Sequence, residues 1–147
     1  MSNLKLVVEI LHASNLPPKD GDGSASAYVE VIFDAQMLRT RTKHKNLNPA
    51  WNEKLEFTVS DRKVLEEECL EVNVYSNRKA GPRRLLGKAK LEPEHIRRRD
   101  SESAPVPIPI PFEKGWSIFT KNKGELFLSA YWTESRRKDL HLLHLQI

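Results

Sequence analysis

The stretch Leu70-Glu71-Val72-Asn73-Val74-Tyr75 alternates apolar and polar side chains. Neighbouring residues of a β-strand point to opposite faces of a sheet, so this stretch predicts a strand with one buried face. The same period of two recurs along the chain, at residues 4–10, 28–33, 55–59, 86–91 and 125–132. Short strands separated by turn residues favour an all-β fold, and their spacing predicts a β-sandwich.

The length and composition are those of one compact domain. The chain has 147 residues, of which 39% are hydrophobic and 30% are charged. Its longest apolar stretch, residues 4–11, is interrupted by Lys5 and Glu9 and is far too short to cross a bilayer. The N-terminus lacks the apolar segment of a secretory signal, and the single Cys69 cannot form an internal disulfide. We therefore expect a reducing, cytosolic compartment.

Two short helices are predicted between the strands. Ser60 or Asp61 can cap the first, which would run through Glu68, because short polar side chains accept hydrogen bonds from the first backbone N–H groups of a helix. Residues 92–99, which follow a predicted strand, are the second candidate.

Proline occupies every second position from Pro105 to Pro111. Since proline has no backbone N–H, a strand with this pattern can pair on one side only, and we predict an edge strand over residues 104–112. A proline-rich ligand for an SH3-type groove is the alternative interpretation. No two of these prolines are three positions apart, however, as the PxxP motif requires.

Four motifs occupy residues 16–23, 28–31, 47–57 and 86–87, and Asn48-Pro49-Ala50-Trp51-Asn52-Glu53 is the most specific. Together they resemble the C2 domain family. With residues 19–21, 33–34, 39–40 and 124–126, the chain looks most like the first C2 domain of plant proteins with multiple C2 domains and a transmembrane region. The resemblance implies an eight-stranded antiparallel Greek-key β-sandwich over residues 3–134, followed by a C-terminal tail or linker, residues 135–147. It also implies three loops at one end that, in many members, bind Ca2+ and then phospholipid.

At most of the positions where the family has Ca2+-binding aspartates, this sequence has no carboxylate. Ca2+ takes about six to eight oxygen ligands, several of them carboxylates. The aspartate positions of the family fall on Asp20, Ser26, Ser76, Arg78 and Arg84. A guanidinium roughly 6 Å from a divalent cation repels it by about 5 kcal/mol at an effective dielectric near 20. We therefore expect no metal site and no cofactor.

Two basic clusters supply the candidate lipid-binding residues. The first lies on a predicted strand over residues 39–45, where alternate basic side chains would form a stripe on one face. The second lies in the loop that corresponds to the third Ca2+ loop of the family. The candidates are Arg39, Arg41, Lys43, Lys45, Arg78, Lys79, Arg83 and Arg84. A solvated sheet face is the plainer interpretation of such charge runs, but the resemblance implies a polybasic surface for lipid headgroups. At about 1 kcal/mol per basic residue, both clusters together would give about 8 kcal/mol.

The leading hypothesis is a Ca2+-independent, peripheral membrane-binding module used for targeting or tethering. Its partners would be anionic phospholipids, phosphatidylserine and phosphoinositides, on the cytosolic face of the plasma membrane or endoplasmic reticulum. The alternative is a protein–protein interaction module of a scaffold or trafficking protein. Nucleic-acid binding is disfavoured because aromatic residues do not alternate with the basic ones. We expect no enzymatic activity, since the sequence shows no nucleophile arranged with a base.

Overall fold

β-strands dominate the structure, as the period of two predicts. The computed structural model describes residues 2–18, 23–78, 81–99, 108–111 and 124–136. The strands of these residues are β1 (Ser2–Ser14), β2 (Ala27–Phe33), β3 (Gln36–Arg39), β4 (Ala50–Val59), β5 (Leu70–Ser76), β6 (Arg84–Leu91), β7 (Arg97–Arg98), β8 (Ile108–Pro111) and β9 (Glu125–Arg136). One helix, α1 (Arg62–Glu67), and a 3-10 turn, Pro93–His95, lie between strands.

The strands form two sheets, which confirms the predicted β-sandwich. One sheet has the order β4-β1-β9-β7, with β8 also paired to β9, and the other has the order β3-β2-β5-β6. The pairs are antiparallel except for β7, which runs parallel to β9. The described residues contain nine strands, where eight were expected, and the two-residue β7 is among them.

The core lies between the inward faces of the two sheets. Leu6 and Val8 of β1 are fully buried, and so are Val72 and Val74 of β5. The polar partners in each alternation point away from this core, because successive side chains of a strand face opposite ways. Trp51 is also buried, and its indole N–H donates to the carbonyl of Ala27 at 3.3 Å, so it attaches the start of β4 to β2.

The first predicted helix is confirmed and the second is wrong. Asp61 caps α1, since its carboxylate accepts from the backbone N–H groups of Lys63 and Val64 at 2.8 and 3.3 Å. The second candidate forms only the 3-10 turn, after which β7 and the Arg99 N–H pair with β9. Pairing with β9 therefore replaces helix formation there. In the described part of the chain, no helix is both long enough and apolar enough to cross a bilayer.

The proline-rich strand has the predicted one-sided pairing where it is described. β8 pairs with β9 through Ile108 and Ile110, which lie opposite Leu128 and Leu126. Within the described residues β9 is its only partner strand, as expected of an edge position. Residues 104–107 and Phe112, which belong to the same prediction, lie outside the described residues.

Candidate lipid-binding surface

Two buried serines join the residue before β2 to the end of β5, at the positions where the resemblance expects Ca2+-binding aspartates. The backbone N–H of Ser26 donates to Ser76 Oγ at 3.0 Å, and the N–H of Asn77 donates to the Ser26 carbonyl at 2.8 Å. Ser26 is 5% exposed and Ser76 is fully buried. The two segments are therefore held together by neutral hydrogen bonds within the protein.

The Ser26 hydroxyl also fixes the turn at the end of the first basic cluster. Its Oγ accepts from the backbone N–H of Lys45 at 3.0 Å and lies 3.3 Å from His44 Nδ1. This oxygen is occupied by protein partners, so it is not free to serve as a metal ligand without breaking them.

The remaining predicted Ca2+ positions carry positive charge or lie outside the described residues. Arg78 is half-buried, and Arg84 is exposed at the start of β6, opposite Ser76. Asp20, like the lipid-binding candidate Lys79, lies outside the described residues. Among the residues that the structure does describe, no three His, Cys, Asp or Glu side chains are grouped to hold a metal ion.

The prediction of one continuous basic strand over residues 39–45 is wrong. β3 ends at Arg39. Beyond it the Thr40 N–H donates to the Val29 carbonyl at 2.9 Å, and Lys43 forms only an isolated bridge with Ala27. Lys45 has a left-handed φ of 44°, in a turn held by the Ser26 hydroxyl. Arg41 is exposed between these two contacts, and its backbone N–H donates to Glu53 Oε2 at 3.0 Å. The basic residues therefore follow an irregular edge of the sheet instead of a regular stripe.

Two arginines of the predicted site stack on tyrosines of the outer face of the four-stranded sheet. Tyr28 of β2 and Tyr75 of β5 are directly opposite each other, with ring centroids 5.7 Å apart. The Arg39 guanidinium lies 3.7 Å from the Tyr28 centroid, and the Arg83 guanidinium lies 3.8 Å from the Tyr75 centroid. Cation–π contacts at this distance hold both arginines against the sheet.

Arg83 is neutralised within the protein. Its Nη1 donates to Glu30 Oε2 at 2.8 Å and to the Tyr28 hydroxyl at 2.9 Å. These two hydrogen bonds, Tyr28 first and Glu30 second, raise the pKa of Arg83 above its ordinary value, against a smaller opposing effect of burial. The Glu30 side chain is only 6% exposed, so Arg83 pairs with a carboxylate that is largely shielded from solvent.

The sheet register aligns charged and polar residues across the outer face of the four-stranded sheet. Glu30 of β2 lies between Arg39 of β3 on one side and Asn73 of β5 on the other. Asn73 in turn is opposite the exposed Lys88 of β6. Sequence analysis missed Glu30 and the two tyrosines as members of this surface. The alternation of side chains along β2 places Tyr28 on the outer face. Which residues of the neighbouring strands contact Tyr28, however, depends on the register of the strands.

Residues 4–107 match the sequence profile of a family described as "C2 domain", so the chain belongs to the C2 domain family. The predicted resemblance is thereby confirmed. A single C2 domain of plant extended synaptotagmin 1 has the same fold, with a TM-score of 0.73 over 90% of this chain and 96% of that one. At 24% identity this similarity concerns the fold alone.

Among full sequences, the chain is similar to several proteins of one plant. It is 47% identical to multiple C2 domain and transmembrane region protein 14 of Arabidopsis thaliana. This match runs over 131 residues and covers 88% of this chain. It is 43% identical over 133 residues to protein QUIRKY of the same plant, covering 87% of this chain. In each case the match spans only 12% of the relative's own length.

Proposed function

We infer that this C2 domain is a non-enzymatic, peripheral membrane-binding module that contacts anionic phospholipids without Ca2+. It would act in targeting or tethering, on the cytosolic face of the plasma membrane or endoplasmic reticulum. Phosphatidylserine and phosphoinositides are the proposed ligands, because their headgroups carry the negative charge that the basic residues attract.

One observation carries the Ca2+-independent part of the proposal. Ser26 and Ser76 stand where the family resemblance expects acidic ligands, and they bind each other's segments by hydrogen bonds. The carboxylates that would draw a cation into this end of the sandwich are replaced by neutral, internally bonded groups. Arg78 and Arg84 near them are positively charged, so lipid attraction needs no added ion to reverse the local charge.

The expected affinity is modest. Of the eight proposed lipid-binding residues, Arg83 is offset by Glu30, which leaves seven. At about 1 kcal/mol each they supply at most about 7 kcal/mol, which corresponds to a Kd on the order of 10 µM. Binding of this strength is reversible and sensitive to salt. The relatives' names refer to multiple C2 domains, and linked modules of this kind would multiply such weak contacts.

Two exposed apolar side chains favour a second candidate, a protein-interaction role. Met37 is 62% exposed and Leu85 is 37% exposed, on strands at the two margins of the four-stranded sheet. Both lie on its outer face, opposite Ile32 and Tyr75 respectively. A protein partner that covered this face would bury them together with the basic residues. Vesicle binding separates the candidates, because only the membrane proposal predicts affinity for protein-free lipid.

Co-sedimentation of the full chain with vesicles tests the proposal. We expect binding to vesicles that contain phosphatidylserine or phosphoinositide, retained in EDTA and lost in high salt, and no binding to pure phosphatidylcholine. The variant Arg41→Glu with Lys43→Glu should lose this binding.

A matched control variant makes the same change in net charge at two basic residues outside the proposed surface. Lys5→Glu with Lys63→Glu places it on β1 and α1, away from the four-stranded sheet, and should retain most of the binding. Equal loss in both double variants, or binding that needs Ca2+, would contradict the proposed surface.

A further inference from the structure

A groove lies between α1, the 3-10 turn and β9, and none of its lining residues belongs to the two basic clusters. Its volume is about 370 Å3, within the range of roughly 300–1,000 Å3 that is typical of ligand pockets. Leu65, Pro93, Ile96 and Trp132 give it an apolar floor. The membrane-binding proposal makes no use of this groove.

Trp132 is held in position by two cations before any ligand arrives. The Arg62 and Arg98 guanidiniums lie 5.5 and 5.2 Å from its ring centroid. Arg62 is itself fixed by Glu134, whose carboxylate accepts from its Nη2 at 2.9 Å. A large apolar surface that is already ordered loses little side-chain entropy on binding, so it favours capture of an apolar segment.

The chain leaves β9 at the same end of the sandwich as the groove. Glu134, which pairs with Arg62 of the groove, is three residues before the segment 137–147. The strand pairing gives the same result. Leu4 of β1 is opposite Glu134 of β9 on one side and opposite Val59 on the other, and Val59 is the last residue of β4 before α1. The end of β9 therefore lies at the same end of the sheet as the start of α1. Eleven extended residues span up to about 36 Å, so the segment has ample length to return to Trp132.

The composition of the segment fits the groove. Five of its residues are large and aliphatic: Leu140, Leu142, Leu143, Leu145 and Ile147. Arg137 and Lys138 precede them, and the groove carries two exposed acidic side chains, Glu66 and Glu94. We propose that the groove binds residues 137–147 of this same chain, with aliphatic side chains on Trp132 and basic side chains toward the two glutamates.

NMR spectroscopy of the full chain tests this assignment. We expect nuclear Overhauser contacts between the aliphatic methyl groups of the segment and the Trp132 indole. The variant Leu143→Asp with Leu145→Asp should abolish them. It should also speed hydrogen exchange of the Glu68 and Ile96 amides, which bond back to Val64 and Pro93, by about tenfold. The substitutions follow β9, so the sandwich itself should remain folded.

The variant Gln146→Asp is the matched control, since it adds charge to the same segment without removing an aliphatic side chain. It should keep the contacts and the slow exchange. Absence of contacts to Trp132 in the unmodified chain would overturn the proposal. So would contacts that appear only between labelled and unlabelled chains, which would assign the groove to a second copy. Vesicle binding can fail without affecting any of these results.

Discussion

Removing Arg83 should change the stability of the domain and have little effect on its attraction to lipid. Its Nη1 bonds to the Glu30 carboxylate and the Tyr28 hydroxyl, and its guanidinium stacks on Tyr75. Arg83→Gln leaves the Glu30 carboxylate, which is 6% exposed, without its cation. The double variant Arg83→Gln with Glu30→Gln removes both charges and keeps the net charge of the chain unchanged.

The expected loss of folding stability in Arg83→Gln depends on how exposed the Arg83–Glu30 pair is. A hydrogen bond to a charged group contributes about 1.5–3 kcal/mol. Because the Arg83 side chain is 45% exposed, solvent screening reduces the expected loss to about 1–2 kcal/mol. For a chain of this size, that corresponds to a fall in Tm of about 3–6 °C. The double variant should recover part of this loss, since it leaves no unpaired buried carboxylate.

Thermal unfolding and vesicle co-sedimentation, measured on the same samples, separate the two roles. Arg41→Gln is the control, because Arg41 is exposed and contacts Glu53 through its backbone. It should keep its Tm and lose about fivefold in vesicle affinity, the equivalent of about 1 kcal/mol. The Arg83/Glu30 double variant should bind vesicles like the unmodified protein. If it loses as much affinity as Arg41→Gln, Arg83 contacts lipid and our assignment of its role is wrong.

Two further predictions concern single contacts. Asp61→Ala removes the side chain that caps α1 and should lower the free energy of unfolding by about 1 kcal/mol in denaturant titration, whereas Asp61→Asn should be nearly neutral. Unchanged stability of the alanine variant would show that the cap contributes nothing. The Cys69 thiol donates to Glu92 Oε2 at 3.2 Å, and this hydrogen bond, together with desolvation, raises its pKa. The thiolate fraction at pH 8 is therefore reduced, so Glu92→Gln should speed alkylation of Cys69, and an equal or slower rate would refute this cause.

The strands could be predicted from sequence because each depends on local alternation. Residues 70–75 and 125–132 lie within β5 and β9, and Val72, Val74, Leu126 and Leu128 of these alternations are fully buried. The full length of β1, Ser2–Ser14, was not evident, since it continues past a bulge between Ile10 and His12 where the alternation breaks. A bulge depends on the partner strands, which periodicity within one strand cannot show.

The candidate site was only partly accessible to sequence analysis. The positive charge of residues 39–45 is evident from composition, but the turn at Lys45 arises from a hydrogen bond to Ser26, nineteen residues earlier. The neutralisation of Arg83 by Glu30 depends on the pairing of β2 with β5 and on where β6 begins. Long-range contacts of this kind are set by tertiary structure, so residue type and spacing alone overestimate how many cations of the proposed lipid-binding surface lack an acidic partner in the protein.

Calorimetric titration of Ca2+ into the full chain tests the central claim most directly. Ser26 and Ser76 are bonded to each other's segments, and Arg78 and Arg84 add positive charge beside them. We therefore predict no stoichiometric binding at micromolar Ca2+, either in solution or with phosphatidylserine vesicles present. A one-to-one isotherm with micromolar affinity would contradict the account.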